Sequence, residues 1–99
     1  MNPDLLRGNL ELILLSILER TPLYGFAIIQ EAKTRTNGYF EFKEGSLYPA
    51  LHRLELGELG RNGKPRKYYK LTPEGSRVLS EKRSEFQTFT GAVQRLGGG

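Results

Sequence analysis

Between Lys43 and Glu55 the chain runs Lys-Glu-Gly-Ser-Leu-Tyr-Pro-Ala-Leu-His-Arg-Leu-Glu, a segment whose polar side chains are of the kinds that contact nucleic acid. Arg53 offers a planar fork that fits the O6 and N7 acceptors of guanine, while Ser46 and Tyr48 suit a phosphate or a thymine methyl. With Ser46 as N-cap, Leu47, Leu51 and Leu54 recur at i, i+4 and i+7 beside Ala50, which makes one stripe apolar. Tyr48, Pro49, His52 and Arg53 then share the opposite arc, at about 100° per residue. Pro49 suits such a helix in its first turn, where the N–H it lacks has no partner to lose. The plainer alternative is an amphipathic surface helix that binds nothing, and the segment alone leaves both open.

A second cluster follows. Arg61, Lys64, Arg66, Lys67 and Lys70 fall within ten residues that hold no acid, in a chain of net charge +4 and pI near 9.6. A basic stripe in a small domain favours a polyanion, and nucleic acid before a membrane surface, because no basic amphipathic helix accompanies it. Lys64, Arg66 and Lys67 would neutralise phosphates; the alternative is a solvated charge run. Tyr24 and Lys43 are further phosphate contacts by position, although Tyr24 fits a half-buried packing role equally well. Chemistry beyond binding has little to work with. His52 stands alone, there is no Cys, and neither a phosphate-cradling glycine loop nor converging carboxylates are present. No catalytic residue, metal ligand or cofactor is expected, and the chain is not read as an enzyme.

The elements that must position these residues are legible from periodicity and breakers. A first helix is expected over Leu10 to Arg20, apolar on most of its circumference through Leu10, Leu12, Ile13, Leu14, Leu15, Ile17 and Leu18. A helix apolar all round needs cover on two sides, and a second subunit is the expected second cover. Thr21-Pro22 breaks it. A second helix runs from Tyr24-Gly25 to about Thr36 and ends at Asn37-Gly38, the two residue types that best tolerate φ > 0. Tyr39 to Lys43 forms an extended link to the third helix, which ends near Gly57. Asn62-Gly63 reads as a tight hairpin turn and Lys64 to Leu71 as a strand. Thr72-Pro73-Glu74 starts the last helix, with Thr as N-cap, Pro at N1 and an acid in the first turn. Its positions 79, 82, 86, 89, 93 and 96 hold Leu, Lys, Phe, Phe, Val and Leu, a heptad-like seam of about two and a half heptads. That is too short for an independent coiled coil and suits packing against the first helix of a partner.

The fold class is therefore mainly α with a small β-hairpin: a winged helix-turn-helix over residues 1–75, a C-terminal dimerisation helix over 76–96 and a flexible tail at 97–99. Ninety-nine residues with 37% apolar and 26% charged side chains suit one ordinary soluble domain. The most apolar stretch, Leu12 to Leu18, is too short to span a membrane, and no signal peptide is evident, so a cytoplasmic location is expected.

Four blocks carry a resemblance. Asn9-Leu-Glu-Leu-Ile-Leu-Leu, Pro22-Leu-Tyr-Gly-Phe, Glu44 through Glu55, and Gly63-Lys-Pro-Arg-Lys-Tyr-Tyr-Lys-Leu-Thr-Pro-Glu-Gly75 together resemble the PadR-like transcriptional regulators, in the family's order over residues 9 to 75. The resemblance implies a homodimeric winged-helix repressor of bacterial or archaeal type, released from an inverted-repeat operator in double-stranded DNA by a small aromatic or drug-like effector. The third helix would enter the major groove through Ser46, Tyr48, Pro49, His52 and Arg53, and the wing would contact phosphates or the minor groove. The last helix would swap against the partner's first helix, with Leu12, Leu15, Leu79, Phe86, Phe89, Val93 and Leu96 at the dimer interface. Phe86 and Phe89 would wall an effector cavity there, against the plainer role of interface packing. The other reading is a winged-helix module that binds protein without reading DNA sequence.

One departure stands out. Only Gly60, Arg61 and Asn62 separate Leu59 from Gly63, where the family has a strand of several residues. This leaves either a stub of a wing or a wing with residues absent from the chain; the second is the expectation, since two antiparallel strands need more chain.

Overall fold

The first helix of the chain precedes the expected one. Pro3–Gly8 (α1) starts on a proline, carries Asp4 in its first turn and Arg7 in its last, and so matches the helix dipole at both ends. The structure, a computed structural model, describes residues 3–62 and 67–97. Leu10–Leu18 (α2) follows, then a two-residue strand Leu23–Tyr24 (β1), Gly25–Arg35 (α3), Glu44–Leu54 (α4), strands Leu59–Asn62 (β2) and Tyr68–Leu71 (β3), and the long Pro73–Gly97 (α5). The three strands form one antiparallel sheet in the order β1-β3-β2. No helix among the described residues is long and apolar enough to cross a membrane.

α2 is the axis of the core. Its Leu14 and Leu15 are fully buried, Ile13, Ile17 and Leu18 nearly so, and α3, α4, α5 and β3 all pack on it. The second cover that periodicity demanded thus comes from the chain's own α5. Leu15 and Leu79, expected at a subunit interface, are instead buried at 0% and 2% exposure within the single chain and have no surface left for a partner. Leu12 stays half-buried.

α3 ends as its sequence indicates. Asn37 and Gly38 adopt φ of 52° and 81°, the Gly38 N–H donates to the Lys33 carbonyl at 2.7 Å and the Asn37 N–H to Thr34 at 3.4 Å. These two bonds constitute a Schellman motif, which closes the helix.

The wing corrects the sequence reading. β2 and β3 pair along their whole length, Leu59 with Leu71, Gly60 with Lys70, Arg61 with Tyr69 and Asn62 with Tyr68. Four residues therefore suffice for the first strand, and Asn62 belongs to the ladder rather than to a turn. Among the described residues the second strand begins at Tyr68, after Lys67, while its expected start at Lys64 lies outside the described residues. Tyr69 is buried and Tyr68 exposed, the alternation expected of a half-buried strand.

α5 begins on a tightly built joint. The Thr72 hydroxyl accepts the Gly75 N–H at 2.9 Å, as an N-cap should, and donates to the Gly57 carbonyl at 2.6 Å. The Thr72 N–H donates to the Glu58 carbonyl at 3.1 Å. At Gly75 a Cβ would lie 2.1 Å from that same Glu58 oxygen, so only glycine permits this approach. From this root α5 runs unbroken across the expected 75/76 boundary and through Gly97, the first residue of the expected tail. Further along, the Arg83 guanidinium binds Glu19 at 2.8 and 3.0 Å, which straps α5 to the end of α2 and holds the Glu19 carboxyl below its ordinary pKa.

The joint yields a test with opposite signs at two glycines of one helix. Gly75→Ala is expected to lose about 1–3 kcal/mol of unfolding free energy, as overpacking against backbone does. Gly91→Ala, whose added methyl would meet the Arg95 guanidinium at an ordinary 3.8 Å, is expected to gain about 0.5–1 kcal/mol from helix propensity. Urea unfolding checks both, and equal midpoints for the two variants would contradict the contact.

Candidate nucleic-acid interface

α4 begins two residues before its expected N-cap. Lys43, extended at φ −100° and ψ 146°, is the N-cap, and its carbonyl accepts the Ser46 and Leu47 N–H groups at 3.0 and 2.9 Å. The cause is Phe42, buried at 6% exposure: once it is anchored in the core, the helix starts directly after it. Glu44 then places an acid in the first turn. Ser46 sits inside that turn with an exposed side chain instead of capping it.

The earlier start moves Pro49 out of the first turn and into the helix interior. There it removes the bond that would run to the Gly45 carbonyl, at a cost of about 3 kcal/mol. Leu47, Ala50, Leu51 and Leu54 are all buried on the opposite face, and a fully buried Leu contributes about 1.5–3 kcal/mol. Packing outweighs the lost bond, and the helix continues to Leu54.

The outer face of α4 presents Ser46, Tyr48, Pro49, His52 and Arg53, all exposed, as the periodicity requires. They are not equally disposed. Tyr48 is 43% exposed, and its ring lies across the first residue of α3, so close that a Cβ on Gly25 would stand 2.3 Å from the Tyr48 hydroxyl oxygen. This side chain therefore also fixes the angle between the two helices. His52 projects into solvent with its side chain 78% exposed, its Nδ1 3.9 Å from Glu55 Oε1. Arg53, at the edge of the face, is drawn towards α2, with Nε 3.4 Å from Glu11 Oε1.

The wing stands beside this face. Arg61 on β2 reaches back towards the end of α4, with Nε 3.9 Å from Glu55 Oε2. Glu55 thus stands between His52 and Arg61, and burial, with the nearby Glu55 charge, pushes the Tyr69 hydroxyl pKa up. Lys67 and Lys70 are exposed, as is Lys43. Lys64 and Arg66 lie outside the described residues. Tyr24 is half-buried, and its ring meets Tyr68 edge-on at 5.6 Å. It occupies the N-cap position of α3 but makes no side-chain capping bond. The packing role is therefore present, at the foot of the wing.

Sequence reasoning missed Glu11 on α2, which reaches Arg53, and Lys82 on α5, which pairs with Glu11 in turn. Their only signal was a carboxylate at the start of one helix and the polar break in the seam of another. Phe86, Phe89, Val93 and Leu96 form an exposed stripe on α5, from 44% to 88% accessible. Phe86 lines a largely apolar cleft of about 510 Å³ with Leu12, Ile13, Tyr39 and Phe40, and with Phe89 a second of about 440 Å³ beside Arg53 and Lys82.

This geometry has relatives. The family model of the transcriptional regulator PadR-like family matches residues 14–81. A protein of Lysinibacillus sphaericus is 40% identical over 86 residues, 79% of this chain and 78% of its own length. A transcriptional regulator from Clostridium thermocellum superposes with a TM-score of 0.89 at 30% identity, covering 96% of each chain. Bacillus subtilis PadR, solved in complex with operator DNA, gives a TM-score of 0.64 at 25% identity over 73% of this chain and 44% of its own. With four helices before a short wing and a long final helix in that frame, the chain belongs to the PadR-like family of transcriptional regulators.

Proposed function

We propose that the chain acts as a two-fold dimer that binds double-stranded DNA and represses transcription, with α4 in the major groove and the wing on phosphates. The observation that carries this reading is the composition of the outer face of α4. Ser46, Tyr48, His52 and Arg53 stand exposed on a helix whose other side is buried, with Arg61 of the wing beside them and Lys67 exposed just before β3. The DNA complex of a relative with the same frame supports it. Lys43, Lys64 and Arg66 extend the phosphate contacts, Pro49 lets backbone approach closely, and Tyr24 supports the wing from below.

The exposed stripe Phe86, Phe89, Val93 and Leu96 supports pairing of two copies through α5, since contiguous apolar faces of this kind mark interaction sites. Half-buried Leu12 lies at its margin. The aromatic walls of the two clefts, Phe86 and Phe89, suit a flat effector whose binding there releases DNA. A two-fold dimer of this form reads an inverted repeat with half-sites about one or two helical turns apart.

Two measurements test the reading. Arg53→Ala is expected to weaken binding to the specific operator by about 1–3 kcal/mol and to random duplex by less. Equal loss on both would make Arg53 a phosphate contact, and no duplex binding at low salt by an intact dimer would favour a protein-binding module. Replacing Phe89 and Val93 by Glu touches no buried side chain and is expected to yield a folded monomer in light scattering. A dimer that survives both changes would place the interface elsewhere.

A further inference from the structure

Glu11 stands in the first turn of α2 between cations from two other helices. Its Oε1 lies 3.4 Å from Nε of Arg53 on α4, and its Oε2 lies 3.4 Å from Nζ of Lys82 on α5. Each oxygen thus faces one cation, and a single carboxylate joins the DNA-facing helix to the last helix. Among the described residues of the α4 face, Arg53 is the one whose charge is paired with a carboxylate of another helix. The Glu11 and Lys82 side chains are each 35% exposed and that of Arg53 55%. Pairs so wet shift an equilibrium by up to about fivefold, enough to tune binding without abolishing it.

We propose that Glu11 is a positioning residue that withholds Arg53 from DNA in the free protein, and that Lys82 sets how firmly it does so. The inference rests on α4 as the helix that meets DNA. To reach a phosphate or a base edge, Arg53 must leave Glu11. While Lys82 shares the carboxylate, that departure is easier, because Glu11 keeps a counter-charge. When Lys82 moves away, Glu11 has Arg53 alone, and binding weakens. Lys82 lines the cleft of about 440 Å³ with Phe86 and Phe89, next to Glu11 and Arg53 themselves. Anything that fills this cleft or shifts α5 there acts directly on the charge available to α4.

The sign of each substitution is fixed by this arrangement. Binding of a mixed-sequence duplex, titrated between about 50 and 200 mM salt, is to be compared for wild type, E11Q, K82M, R53A and the paired variants. E11Q is expected to tighten binding about two- to fivefold, because Arg53 no longer has a carboxylate to leave. In the R53A background that gain should vanish; a gain that persists there would reduce Glu11 to general charge repulsion and overturn the proposal. K82M should weaken the wild type more than it weakens E11Q, and equal losses would overturn the role of Lys82. The Arg53 Nε–H resonance reads the clasp in the free, full-length protein, and it should shift in both E11Q and K82M; an unmoved signal in K82M also counts against it. Wild type and E11Q binding with equal affinity sinks the role of Glu11 alone, whereas neither binding any duplex sinks the α4 reading itself.

Discussion

The whole arrangement hangs on a backbone-to-backbone approach at the root of the last helix, where Gly75 meets the Glu58 carbonyl with no room for a methyl group between them. Thr72 adds three bonds at the same place: its hydroxyl joins Gly57 to Gly75, and its N–H holds Glu58. Residues 57 and 58 lie between the end of α4 and the start of β2. A single joint therefore sets where α4 stops, where the wing begins and in which direction α5 leaves. Hydrogen bonds fix distances there more narrowly than apolar packing could, because each has a preferred angle as well as a length.

Above that joint, apolar burial decides what local preferences would not. An interior proline is tolerated in α4 because four side chains on its far side are buried, and the loss of one backbone bond is small beside that. The same economy appears in Tyr48, which holds α3 and α4 at their angle and still leaves two-fifths of its surface to solvent. Charge is handled differently. Glu11, Glu19 and Glu55 each stand beside cations from other elements, so carboxylates from α2 and the end of α4 steer Arg53, Lys82, Arg83 and Arg61. Such contacts are weak singly, but they determine which cations face outward.

Much of this was legible before any coordinates. The apolar stripe of α4, the positive-φ stop at Asn37-Gly38 and the Thr72-Pro73 start of α5 each express a local rule that tertiary structure left intact. The failures were failures of locality. Ser46 looked like an N-cap because Ser often is one, but Phe42 took the core position that set the helix start. Leu15 suggests an interface because its helix is apolar on most of its circumference, and Leu79 because it opens the heptad-like seam of α5; no periodicity reveals which neighbour covers a face. The wing seems too short when Asn62 is assigned to a turn, whereas it pairs with Tyr68 in the ladder. At the site, the residue types on α4 could be read off the sequence, but not the attachment of Arg53 to Glu11, which joins positions 42 apart in the chain.

The length of α5 has a mechanical consequence. Its 25 residues extend about 37 Å at 1.5 Å per residue, and the chain's radius of gyration, 14.4 Å, exceeds the roughly 13 Å of an ordinary domain of this size. The helix is a long beam held from Thr72 to Arg83, where Leu79 is buried and the guanidinium binds Glu19. Beyond that point its remaining residues, about 14, extend about 21 Å, so a tilt of about 5° there carries the far end through roughly 2 Å. Small changes of angle at the end of that hold are thus magnified along the beam, and the rigid stretch from Thr72 to Arg83 is what keeps Phe89, Val93 and Leu96 in one register.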